Sequence, residues 1–246
     1  MILSRPAEGT LLIWRRLALL TAVALMVTAC GTTATSPTAS ESMAASAAGS
    51  PDELPIGEEP LGAGRYSLPE FPVGITFEIP ASGAPAEWIV CSASPVEQGV
   101  CYSSTGVFST GTSVAVAFQI VDNVRTPPCS DQETAELLDP PVGSSVDDFV
   151  TAISNLEGYE TTPPEDISVN GFSGKEFTLT AVSHGCGATW STTDRVTGMG
   201  AGEINLLRVL DVDGLRVLMT GAYDAATPET ELSAMNNVLD SVQIQP

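Results

Sequence analysis

The period of hydrophobic positions changes repeatedly along the chain, and the changes mark out its segments. Leu17 to Val27 is a continuous apolar run of about a dozen residues behind Arg5, Arg15 and Arg16, shorter than the ~20 residues a spanning helix needs. From Gly31 to about Ser67 no period exists. Strand candidates follow at Ile75–Ile79, at Trp88–Cys91 and at Ser113–Val121, the last β-branched and alternating in side-chain size, as a buried or half-buried strand requires. The period then lengthens. Val146, Phe149, Val150, Ile153 and Leu156 fall at helical spacing and predict an amphipathic helix. Ser144 or Ser145 is placed to cap it, Asp147 and Asp148 to meet the positive end of its dipole, and Gly158 to stop it.

Two hairpins come next. Ile167–Val169 joins Gly174–Val182 through Asn170-Gly171, and Glu203–Val212 joins Leu215–Thr220 through Asp213-Gly214; Asn-Gly and Asp-Gly between alternating apolar residues are strong hairpin signals. The last element, Pro228 to Ser241, carries Leu232, Met235, Val238 and Leu239 on one stripe, with Pro228 in the first turn and Thr227 as its cap. Strands, helix, strands, helix predict one α+β domain over residues 68–246, a mostly antiparallel β-sheet with helices packed on its faces.

A basic start, a short apolar core and the small residues Val27-Thr28-Ala29 are the order of an export signal. The cysteine that follows, Cys30, makes the segment resemble the lipobox of bacterial lipoproteins. In those proteins the thiol is acylated and the chain is cleaved just before it. The resemblance implies a signal peptide over residues 1–29, a lipidated Cys30 and residence at the extracytoplasmic face of the cell membrane. It also implies a diacylglycerol on the thiol, which holds firmly where a single acyl chain holds loosely. Arg15-Arg16 reads as an ordinary charged flank, because Leu17-Ala18-Leu19-Leu20 supplies only part of a twin-arginine pattern. Residues 30–67, rich in Ser, Thr, Ala, Pro and Gly with scattered acids, bury too little to offset ordering entropy. They read as a flexible spacer.

Charge narrows the partners. The formal net charge is −21, and removal of residues 1–29 with three Arg and one Glu deepens it to about −23. Such a surface repels nucleic acid and anionic headgroups, so the lipid, not the protein surface, is expected to hold the domain to the membrane. It favours cationic partners or divalent metal ions.

Cys91, Cys101, Cys129 and Cys186 are an even set in an exported chain and predict two disulfides, for which three connectivities exist. Zinc is disfavoured: no pair has CxxC spacing, and His184 is the single histidine. The turn Ser94 to Gly99 folds Cys91 toward Cys101, which leaves Cys129 with Cys186. That second bond closes a loop of more than fifty residues and contributes on the order of 4 kcal/mol in the chain-entropy account.

The remaining chemistry reads as ordinary structure. Asp211-Val212-Asp213-Gly214 lacks the further oxygens of a calcium loop, since Leu215, Val217 and Leu218 follow. Asp131, Glu133, Glu136 and Asp139 read as a solvated face. His184 beside Cys186 points in a different direction on an extended segment, against a Cys-His nucleophile pair. Gly171-Phe172-Ser173-Gly174-Lys175 has Lys where a nucleophile elbow needs Gly. Gly198-Met199-Gly200-Ala201-Gly202 leads into a strand, whereas phosphate cradles open a helix. Trp88, Trp190 and Tyr223 read as core aromatics, with a binding cleft as the alternative. No catalytic residue, metal or cofactor is expected.

The run Pro163 to Thr180, the segment Leu210 to Leu218 and the ending Leu239 to Ile244 resemble a family of uncharacterised lipoproteins from actinobacteria and related bacteria. Their domain resembles the fold of PsbP, the extrinsic photosystem subunit. The resemblance spans about Thr126 to Pro246 and implies a PsbP-like α+β fold. A Pro-Cys before the first helix and a Cys after the Lys175 strand recur there, which supports the Cys129–Cys186 pairing. The family brings no activity or site. The expectation is therefore a non-enzymatic binding or scaffolding lipoprotein whose partner is an envelope protein or a small ligand. A small-molecule or lipid carrier is the alternative, and an envelope hydrolase using Ser173, His184 or the acidic cluster comes third.

Overall fold

A computed structural model describes residues 50–55, 60–81, 87–94, 97–103, 114–126, 136–182, 190–191, 196–197 and 199–245. The first strands are β1 (Asp52–Glu53), β2 (Pro60–Leu61), β3 (Gly64–Ser67), β4 (Gly74–Ile79), β5 (Glu87–Ser94) and β6 (Glu97–Ser103). Then come β7 (Val114–Ile120), β8 (Asn123–Thr126), β9 (Glu136–Leu137), helix α1 (Val146–Ser154), β10 (Tyr159–Thr161), β11 (Glu165–Val169) and β12 (Phe172–Ala181). The chain continues through β13 (Trp190–Ser191), β14 (Val196–Thr197), β15 (Glu203–Val212), β16 (Leu215–Asp224), helix α2 (Glu229–Asp240) and β17 (Gln243–Gln245).

The main sheet runs β10-β12-β15-β16-β7-β6-β5-β2, with β11 also on β12, and its neighbours pair antiparallel. This is the α+β architecture the sequence predicts. Both hairpin turns hold: Asn170 and Gly171 have φ of 51° and 90°, Asp213 and Gly214 of 52° and 87°. Two consecutive residues with positive φ give a turn whose twist matches the strands it joins.

Successive strand residues face opposite sides, and here both sides are buried. In β15, Leu207 and Val209 pack with Phe149, Val150 and Ile153 of α1. Leu210 and Val212 instead join Met235, Val238 and Leu239 of α2. One helix therefore covers each face. On the α2 face a smaller sheet, β1-β3-β4-β17, adds Ile75, Phe77, Ile79 and Ile244 to the same core. Burying one such aliphatic or aromatic side chain is worth roughly 1.5–3 kcal/mol over leaving it exposed.

Local chemistry sets the helix ends. Ser145 caps α1: its hydroxyl accepts from the Asp148 amide at 3.0 Å and the Asp148 carboxylate accepts from the Ser145 amide at 3.3 Å, a reciprocal capping box. Asn155 closes the helix one turn ahead of Gly158. At α2 the expected cap is corrected. Pro228 itself is the N-cap and gives no side-chain bond, while the Thr227 hydroxyl accepts from the Asp224 amide at 3.0 Å.

Two further boundaries differ from expectation. The spacer expected to reach Ser67 contains β1, β2 and β3, and Leu54 and Leu61 are buried in the α2-side core. Isolated apolar residues in a Ser/Pro/Gly-rich stretch give no periodic signal, but the edges of the two sheets hold them. The turn expected over Ser94–Gly99 is shorter, since Ser94 already pairs with Glu97 and Gln98 and Gly99 lie in β6. Among the described residues no helix is long and apolar enough to cross a membrane.

Candidate functional site

Helix α2 presents Thr230, Ser233, Ala234 and Asn237 along one face, at helical spacing i, i+3, i+4, i+7. Opposite them stand Trp88 of β5 and Tyr102 of β6, and together with Pro80 and Ala81 these residues line a cavity of about 370 Å³. Trp88 and Tyr102 are register partners, so their side chains share a face of the sheet. Their rings lie 5.2 Å apart, tilted at 52°.

The polar groups here are unevenly satisfied. Trp88 is 0% exposed, and its indole Nε1–H has no hydrogen-bond acceptor. Glu231 is only 6% exposed, and its carboxylate Oε2 has no donor. Glu231 is the third residue of α2, where a glutamate ordinarily reaches back to the amide of the N-cap residue. The N-cap is Pro228, and proline has no N–H. The carboxylate is thereby deprived of its usual local partner. Burial raises the Tyr102 phenol above its ordinary pKa, and the negative charge of Glu231 raises it further, which places that carboxylate in the field of the cavity's aromatic wall. An unpaired buried donor or acceptor costs about 1–3 kcal/mol; of these two residues Trp88 lines the cavity, and Glu231 lies on the neighbouring, core-facing side of α2.

The other aromatic candidates do not converge on this cavity. Trp190 packs on the α1 side, and its Nε1 donates to Gln119 Oε1 at 2.8 Å; it is a satisfied core residue. Tyr223 is half-buried and lines a separate cavity of about 460 Å³ with Cys101, Gly200, Ala201 and Glu203. The cleft of Trp88, Trp190 and Tyr223 weighed from the sequence is not formed.

Cys91 and Cys101 are bonded, as expected, with Cα atoms 5.7 Å apart. Cys30, Cys129, Cys186 and His184 lie outside the described residues, as do Asp131, Glu133 and Gly198. Glu136 and Asp139 are exposed. The Gly200 amide donates to Glu203 Oε2 at 2.8 Å, so a carboxylate already occupies what a phosphate would need. The Gly214 amide donates to Asp211 Oδ1 at 2.9 Å, which makes Asp211–Gly214 a turn rather than a cation loop. Ser173 is exposed on β12 and lines a cavity with Lys175, Asp147, Asp166 and Asp211. A hydrogen bond to Asp166 at 2.6 Å chiefly raises the Lys175 pKa, with Asp147 adding to it at 3.7 Å. An ammonium held this way does not take a proton from Ser173.

Tyr102 and Glu231 escape sequence reasoning. An acid in the first turn reads as a dipole complement, and only the Pro-x-x-Glu spacing hints that it lacks a capping partner.

No protein-family model matches the chain, and no curated protein matches it. Among solved structures the chain is similar to cyanobacterial PsbP (CyanoP) from Synechocystis, at 12% identity and a TM-score of 0.39, over 77% of this chain and 95% of that one. It is also similar to LpqN, described as involved in cell envelope biogenesis of Mycobacterium tuberculosis, at 13% identity and a TM-score of 0.30, over 77% of this chain and 91% of that one. No residue role, ligand or partner passes from either to this chain.

Proposed function

We propose that this chain is an exported, lipid-anchored binding protein, held at the extracytoplasmic face of the cell membrane through Cys30 and without a catalytic role. The Cys91–Cys101 disulfide carries the reading, because such bonds form and persist in oxidising compartments. It is independent of the signal-like N-terminus and agrees with it. The charge of −21 gives the domain no attraction of its own for an anionic bilayer, so a lipid on Cys30 supplies the attachment.

The fold favours a small polar ligand over a lipid. Between α2 and the sheet, Phe77, Phe118, Met219, Met235, Val238 and Leu239 are buried in one cluster, which supports a packed core there rather than an acyl-chain cavity. One cavity lies at the edge of that cluster, where Thr230, Ser233 and Asn237 line it.

Fractionation of cells expressing the wild type and Cys30→Ala tests the reading. The wild type is expected in the membrane fraction and released only by detergent. The variant is expected to leave that fraction. An equal distribution of both would overturn the anchor.

A further inference from the structure

We propose that Cys91 is a modification site, at which a small aminothiol exchanges with the Cys91–Cys101 disulfide and is carried as a mixed disulfide. This goes beyond the binding role proposed above and does not depend on the anchor.

Accessibility separates the two bonded residues. Cys91 is exposed, whereas Cys101 is only 7% exposed. Exchange begins when a thiolate attacks one sulfur, its rate depends on access to that sulfur, and exposed disulfides are the labile ones. The sheet also supports the two residues unequally. Cys101 lies within β6, paired with Ile89 on one side and with Ala115 on the other. Cys91 has no ladder partner on β6, and on the outer side of β5 the strand β2 reaches only Trp88 and Ile89. Breaking the bond therefore releases Cys91 and leaves Cys101 held in the sheet. In the first step the incoming thiolate bonds to the Cys91 sulfur and the Cys91–Cys101 bond breaks. Its electron pair leaves on the Cys101 sulfur, which takes a proton from water. A second thiolate then attacks the sulfur of the bound thiol and frees Cys91, so the cysteine pair gains the two electrons that two thiols lose. Charge selects the thiol. Glu203 and Asp224 line the same cavity as Cys101, and the chain carries −21 overall, a field that slows the approach of anions. A thiolate whose charge is offset by an ammonium group in the same molecule escapes most of that repulsion.

Two thiols of similar size test both halves of this inference on the unaltered protein. The purified full chain in detergent, without denaturant, is incubated with cysteamine or with mercaptoethanesulfonate at a pH of about 8, where free thiols are partly thiolate. The reaction is stopped with acid, the protein is unfolded and alkylated with a maleimide, and its peptides are weighed. Cysteamine is expected on Cys91 and the maleimide on Cys101, in an excess of about tenfold or more over the reverse arrangement, because access decides which sulfur is attacked. Unfolding the chain before the exchange is expected to abolish that preference. Per thiolate, cysteamine is expected to react about tenfold faster than mercaptoethanesulfonate at low salt, and high salt is expected to narrow the gap. Adducts divided equally between the two cysteines, adducts on Cys101, or no exchange until the chain unfolds would overturn the site. Equal rates for the two thiols at low salt would overturn the choice of an aminothiol. The membrane fractionation of Cys30→Ala tests the anchor separately and is unaffected by any of these outcomes.

Discussion

Cys91 is bonded to Cys101 across a break in strand register. Val90 pairs with Val100 and Ser92 with Gly99, which leaves Cys91 as the extra residue on its strand. A bulged residue has no ladder partner to fix it, and here the covalent bond takes that role. The disulfide spans a sequence separation of 10, and closing so short a loop is worth on the order of 2–3 kcal/mol in the chain-entropy account. Replacing both cysteines by serine is expected to lower stability by that amount in urea unfolding. Amide exchange is expected to quicken along β5 and β6 before the rest of the sheet.

Arg216 ties the two sides of the α1 face together. Its guanidinium donates to the carbonyls of Val121 at 3.3 Å, Gly143 at 2.5 Å and Ser145 at 3.5 Å, and to that of Asp122. It also lies 5.2 Å from the Phe149 ring centre. Burial lowers its pKa below the ordinary guanidinium value. Lysine offers one compact ammonium in place of this planar fork. Arg216→Lys is expected to cost about 1–3 kcal/mol, because one ammonium cannot reach all the carbonyls the guanidinium fork serves, among them that of the buried Val121. Denaturant unfolding measures the cost.

The capping box gives α1 a pH dependence of known sign. Hydrogen bonds from the Ser145 side chain and then its backbone hold the Asp148 carboxyl below its ordinary value of 3.8. A carboxyl whose pKa is depressed in the folded state stabilises the fold above its unfolded pKa. That stabilisation falls away as the pH drops from about 3.8 through the lower folded value. Ser145→Ala is expected to cost about 1 kcal/mol at neutral pH and to raise the Asp148 pKa, as carboxyl NMR titration would show.

Two glycines of one hairpin are expected to respond differently to alanine. At Gly171 a Cβ meets nothing within 4 Å, but φ is +90°, so only backbone strain of about 1–2 kcal/mol is expected. At Gly174 a Cβ falls 2.1 Å from the Val209 carbonyl oxygen and 2.6 Å from Leu210 Cδ2. The strand β15 has to move to admit it. Gly174→Ala is therefore expected to be the more damaging change, with a cost of about 3 kcal/mol or more, and thermal unfolding of the two variants checks the order.

What the sequence makes legible is what local rules decide. Asn170-Gly171, Asp213-Gly214, Ser145 with Asp148, and the stripes of both helices announce themselves because each depends on residues a few positions apart. Burial on both faces of β15 is hidden, since Leu206-Leu207-Arg208-Val209-Leu210 gives no alternation to read. Leu54 and Leu61 are hidden for a different reason: what holds them is the far edge of two sheets. The candidate cavity is the least legible part. Trp88 can be suspected, but its partner ring Tyr102 depends on strand register. The isolation of Glu231 depends on a proline being the cap.

The account stands most directly on the mature N-terminus. Intact-mass and peptide mass spectrometry of the protein from the membrane fraction measures where the chain begins and what it carries. The account predicts a chain that starts at Cys30 with a diacylglyceryl group on its sulfur. A chain that retains residues 1–29, or one whose Cys30 carries no lipid, would contradict it.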